Sequence, residues 1–141
     1  MNYVKIGIIL GGILSFVIFI FHTRFYQFFA WQKDFEKISP LNRRVLCTIH
    51  LALYLLVALL GFLSIVFAVE LSRGEGLAAG LTVGYSLFWL WRAVWQITYF
   101  KPLLKTAERS MRFVHYALTT VFIILFIVYL LPVTAKLMNM R

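Results

Sequence analysis

Three pairs of polar residues stand four positions apart inside otherwise apolar stretches of the chain: His50 and Tyr54, Arg92 and Gln96, His115 and Thr119. Residues at that spacing share one face of a helix, so each pair directs a small polar patch one way. Several chemistries fit such an arrangement. Two histidines on separate helices, His50 and His115, can ligate a b-type haem from both faces while Arg92 pairs a propionate. The same set can hold a quinone head group. His22, His50 and His115 can offer three nitrogens to a metal ion, although no acidic residues stand near to orient the rings. Arg92 with Gln96, Tyr54, Trp91 and Trp95 can hold the anionic head group of a membrane lipid. Against all of these, the histidines and aromatics can simply form an interfacial belt, with Arg92 snorkelling or touching a polar neighbour.

Arg92 is the residue most in need of a partner. It precedes Phe100 by eight residues, which is about 12 Å along a helix. An arginine at such depth costs roughly 2.5–3.5 kcal/mol on insertion scales. No Asp or Glu lies within an apolar stretch, and Glu70 only marks an edge. The counter-charge must therefore come from a lipid phosphate, a ligand anion, carbonyl oxygens or another chain. Other chemistries lack their residues. There is no Ser/His/Asp set, no carboxylate pair and no phosphate-cradling loop. A four-helix multidrug exporter wants a membrane-embedded carboxylate. Cys47 stands alone, so internal disulfides and paired-thiol chemistry are excluded. No enzymatic activity is expected.

The elements that must position these residues follow from composition. Of 141 residues, 62% are hydrophobic and 13% charged, and the formal charge is +9; the mean hydropathy is +0.89. Soluble domains run about 45–50% apolar and about 25% charged. Four stretches, at about 4–21, 45–69, 77–100 and 113–133, suit the roughly 20 apolar residues of a membrane span. Backbone in lipid must satisfy itself, so these are helices. The expectation is one transmembrane domain over 1–141, an all-α integral membrane four-helix bundle. The first span follows Lys5 but is succeeded by His22, Thr23, Arg24 and Phe25 rather than a small-residue cleavage site, so it reads as a retained helix.

Cations set the orientation. Arg24, Lys33, Lys37, Arg43 and Arg44 lie between spans one and two, and Lys101, Lys105, Arg109 and Arg112 between spans three and four. Both connections fall on one side, against Lys5, Arg73, Lys136 and Arg141 on the other. Short basic loops stay cytoplasmic, which puts both termini outside. The positive charge is thereby explained without nucleic acid.

The connections carry their own signals. Phe28, Trp31, Phe35 and Ile38 recur at helical spacing, predicting a short amphipathic interfacial helix over about 25–38. Ser39 and Pro40 read as N-cap and first residue of a helix. Pro102 suits a helix stop, and Pro132 a kink or an end. The short turn at 71–76 predicts that spans two and three are antiparallel neighbours. Gly7, Gly11 and Ser15 in span one, and Gly76, Gly80 and Gly84 in span three, form small-residue faces for close helix packing. Such faces serve internal contacts or grip another subunit. Span three turns bulky at Phe88, Trp89, Trp91 and Trp95. The bundle should therefore splay toward its cytoplasmic half, and a cavity is expected there.

Trp31-Gln32, the run Ser39-Pro40-Leu41-Asn42-Arg43-Arg44, Phe88-Trp89-Leu90-Trp91-Arg92 and Tyr99-Phe100 resemble a loose group of small bacterial four-span membrane proteins without assigned activity. The resemblance covers about the middle half of the chain, transfers no catalytic residues and implies a bacterial inner-membrane protein. The leading expectation is a non-enzymatic accessory or scaffold subunit of a larger membrane assembly, in contact with membrane lipids and other subunits, without a cofactor and with an anionic lipid near Arg92. The alternative is a redox subunit with b-type haem or quinone between spans two and four. The orientation is directly testable. With Cys47→Ser as background, an impermeant maleimide should label Arg73→Cys on intact cells and Thr106→Cys only after permeabilisation; the opposite pattern inverts the topology.

Overall fold

The computed structural model describes residues 2–139, and every regular element among them is helical. In chain order these are α1 (Asn2–Thr23), α2 (Phe25–Phe28), α3 (Trp31–Phe35), α4 (Pro40–Val66), α5 (Ala68–Ser72), α6 (Gly76–Tyr99), a 3-10 turn (Lys101–Lys105) and α7 (Arg109–Asn139). Helices α1, α4, α6 and α7 are long and apolar enough to cross a membrane. The chain is thus an all-α four-helix bundle of multi-pass membrane type. The connections 24–39 and 100–108 lie together at one end, called here the basic end; the 73–75 turn lies at the other, the terminal end.

Local chemistry sets the helix limits. The Ser39 hydroxyl accepts from the Asn42 N–H at 3.3 Å while Pro40 occupies the first turn, so α4 begins five residues before the apolar run. Helix α7 continues through Pro132 to Asn139. In the turn beyond the proline, the Thr134 hydroxyl donates to the carbonyls of Leu130 and Leu131.

The long helices pack in the order α4–α1–α7–α6. Helix α4 makes no extended contact with α6, which corrects the expectation that spans two and three are neighbours. The connection is longer than its turn residues imply. Phe67 breaks α4 (φ −104°, ψ 28°), and α5 then packs on α1 before meeting α6. Gly74 completes the crossing with φ +64°; a Cβ there would lie 2.4 Å from the Pro132 carbonyl oxygen. Only glycine fits that left-handed, crowded position.

Packing is tightest toward the terminal end. Helix α1 buries Val4, Ile8, Ser15 and Ile18 along one side. A Cβ on Gly11 would come within 3.2 Å of Tyr129, and one on Gly12 within 2.9 Å of the Gly61 carbonyl of α4. Through this gap the Tyr129 hydroxyl of α7 reaches Ser64 of α4 at 2.6 Å. Ser86 of α6 donates to the Phe126 carbonyl at 3.0 Å. Glu75 and Lys136 pair across the start of α6 and the end of α7. The Lys136 ammonium holds the Glu75 carboxyl below its usual range.

The small-residue face of α6 behaves differently. Among the described residues nothing lies within 4 Å of a Cβ on Gly76, Gly80 or Gly84, so this stripe packs on none of them, whereas Gly7 and Gly11 of α1 face α7. The segment over 25–38 also departs from expectation. It is two short helices, broken where Ala30 adopts φ 50°. The break re-aims the aromatic stripe: Trp31 meets His50 at 4.9 Å and Phe35 meets Tyr26 at 5.8 Å, while Phe28 stays 43% exposed.

At the basic end α4 is largely uncovered. Between Leu41 and Leu56 only His50 and Tyr54 are even partly covered. The two glycine stripes separate under mutation. Gly12→Val should destabilise the purified protein by about 1–3 kcal/mol in detergent unfolding, because the facing Gly61 backbone cannot move aside. Gly80→Ala should stay within about 0.5 kcal/mol.

Candidate functional site

A cavity of about 430 Å³ opens at the basic end, between the 25–29 segment, α6, the 3-10 turn and α7. Arg92, Gln96 and His115 supply most of its polar lining, and Phe25, Phe29, Phe100, Leu103, Met111 and Leu118 much of its apolar wall. A largely apolar pocket of this size with a few convergent polar groups is the general form of a small-molecule site. A second cavity at this end, about 580 Å³, lies among polar residues of the α2–α3 segment. The terminal end holds a smaller one of about 320 Å³ beside Arg73 and Glu75. The size gradient along span three predicted this distribution.

Helix register positions the polar groups. Gln96 and His115 meet at 3.1 Å between the amide nitrogen and Nδ1, tying α6 to α7. With the amide donating, Nδ1 accepts and Nε2 carries the ring proton. The Ser86–Phe126 bond is the second tie, deeper in the bundle. Arg92 lies between the two. Its guanidinium carbon stands 5.0 Å from the centre of the Phe122 ring and 5.7 Å from that of Trp91. Phe122 in turn stacks on Trp89 at 5.6 Å with 23° between planes. The arginine therefore reaches across to α7 within the membrane-spanning region and does not snorkel to the near surface.

Cation–π contact contributes about 0.5–2 kcal/mol, but it leaves the guanidinium's five N–H donors without acceptors. Arg92 forms no hydrogen bond or ion pair with any described residue; the ion pairs present are Asp34–Lys37 and Glu75–Lys136. Beneath the same Phe122 ring, the buried Trp89 Nε1 also lacks a partner among the described residues. Half-buried cation, apolar walls and free donors together make a site suited to one anion.

The remaining candidates fall elsewhere. Trp91 adjoins Arg92, but Trp95 stacks on Tyr99 at 4.9 Å on the exposed side of α6. Tyr54 packs against Phe19 and His50 rather than near Arg92. His22 and His50 form a separate aromatic cluster, 5.7 Å apart, with Phe25 stacked on His22 at 4.3 Å. There the His50 Nε2 is bonded to the His22 carbonyl and the His22 Nδ1 to the Ile18 carbonyl. The three histidines do not converge: among the described residues no group of three His, Cys, Asp or Glu side chains can hold a metal ion. His50 and His115 belong to α4 and α7, which make no extended contact.

Several lining residues escaped the sequence reading. Phe25 and Phe29 enter because the interfacial segment folds back, and Leu103 because the 3-10 turn after Phe100 keeps the chain against α7. The Lys101-Pro102 step signals that turn, but nothing in the sequence signals where it folds. Loss of one partner in the Gln96–His115 bond should leave the other unsatisfied. Gln96→Leu should cost about 1–3 kcal/mol, and Gln96→Leu with His115→Phe less than the two changes summed, as a double-mutant cycle in detergent unfolding would measure.

Compared with protein-family models, curated proteins and solved structures, the chain finds no match in any of the three.

Proposed function

We propose that this chain is a non-enzymatic membrane protein that holds an anionic lipid at Arg92 and acts as an accessory or scaffold subunit of a larger assembly in a bacterial inner membrane. One observation carries the reading. A guanidinium without hydrogen bonds borders an apolar cavity of about 430 Å³ at membrane depth. Intramembrane ionisable residues are costly, and they mark functional sites unless paired. An anion with an apolar body satisfies both the donors and the walls.

The scaffold part rests on what the fold leaves uncovered. The Gly80–Gly84 face of α6, continued by Trp91 and Trp95, is exposed, as is most of the basic half of α4. Small residues beside large aromatics give a surface that another transmembrane helix can approach closely. The cation distribution favours cytoplasmic basic loops and external termini.

The test is native mass spectrometry of protein extracted in mild detergent. The wild type should retain an anionic lipid, and Arg92→Gln should reduce its occupancy about tenfold, the equivalent of about 1.4 kcal/mol. Equal retention by both proteins would refute the assignment of Arg92. A haem absorption band lost on His50→Ala or His115→Ala would instead favour a redox subunit.

A further inference from the structure

Resting on that reading of Arg92 as an anion site, we infer that the occupant is a free single-chain carboxylate, a medium-chain aliphatic acid, bound with its carboxylate innermost. Depth is the first reason. The guanidinium stands over Phe122, deeper than the Gln96–His115 bond. Arg92 is eight residues inside Phe100, about 12 Å along the helix. A bilayer phospholipid keeps its phosphate at the surface, where Lys101, Lys105, Arg109 and Arg112 already stand. To meet Arg92, a phosphodiester would have to carry its head substituent through the Phe100 and Leu103 walls. A slim carboxylate carries nothing behind its charge but methylenes.

Charge and shape agree with this. Among the described residues Arg92 is the one Lys or Arg bordering the cavity, so a single negative charge is matched. A phosphate monoester, at about −1.5 to −2, is not. The planar guanidinium offers two parallel N–H groups to a carboxylate, and Gln96 and His115 stand beside it on the same lining. Between this polar floor and the basic end the walls are mostly Phe25, Phe29, Phe100, Leu103 and Met111, with Thr106 the one further polar side chain on the lining; they suit an alkyl chain.

Volume limits the length. The cavity of about 430 Å³ has room for one alkyl chain of medium length. A two-chain phospholipid is far larger.

Equilibrium binding of radiolabelled dodecanoate to the full-length protein in maltoside micelles tests the inference. Saturable binding is expected, displaced by decanoate but not by dodecanol or dodecylamine, and weakened at least tenfold by Arg92→Gln. Met111→Trp, which narrows the alkyl end of the cavity and leaves Arg92 in place, should lower affinity for dodecanoate more than for hexanoate. That second variant keeps the test valid should Arg92→Gln fail to fold. Two outcomes overturn the inference in distinguishable ways. If phosphatidylglycerol in the same micelles binds in an Arg92-dependent manner and dodecanoate does not compete, the lipid reading stands and the carboxylate does not. If neither ligand depends on Arg92, both fall.

Discussion

Everything in this bundle depends on a side chain that is missing. Because Gly11 has none, Tyr129 passes α1 and its hydroxyl reaches Ser64 on α4 at 2.6 Å. Tyr129 is fully buried and meets Tyr85 of α6 edge-on at 5.3 Å. One phenol therefore links α4, α1, α7 and α6. In lipid the hydrophobic effect does little to draw helices together, so close backbone approach and buried hydrogen bonds carry the association. The Gly12–Gly61 contact, with each backbone oxygen about 3 Å from where the other residue's Cβ would lie, supplies the first of these.

That tight layer dictates the rest of the shape. Farther along, the bulk of Trp89, Phe88 and Phe122 replaces the glycines, and an opening lies beside the Gln96–His115 bond that still joins α6 to α7. The α2–α3 segment and the 3-10 turn partly cover the opening with aromatic and aliphatic side chains. Arg92 consequently borders a walled cavity rather than bare lipid. Its charge rests on the ring of Phe122, which is backed by Trp89. The ring moderates the cost of burial without meeting the donors, and this incompleteness makes the position chemically informative.

Much of this was legible in the residues. Hydropathy yields four helices, Ser39-Pro40 yields the start of α4, and the absence of acidic residues within the spans isolates Arg92 before any coordinates are seen. The pairing of Gln96 with His115 was not legible, because each stands in the sequence only as part of a polar pair on its own helix. The interfacial segment was misread as one helix because periodicity cannot reveal a single left-handed residue such as Ala30, whose side chain carries no turn signal. The neighbouring of spans two and three was misread because Phe67 looks like any apolar helix residue, although it ends α4 and lets α5 cross over α1.

What composition and spacing determined alone is the class of the molecule, the number of its spans, the segregation of charge and the presence of one unpaired cation at depth. These are properties of solvation, which each segment expresses independently of its neighbours. Which glycine stripe is packed, which histidines meet and where the cavity opens were decided only by tertiary structure. Gly7 and Gly11 face α7 while Gly80 and Gly84 face outward, yet both stripes have the same spacing. The difference lies in helix order and rotation, and those are set by complementary shapes on separate parts of the chain.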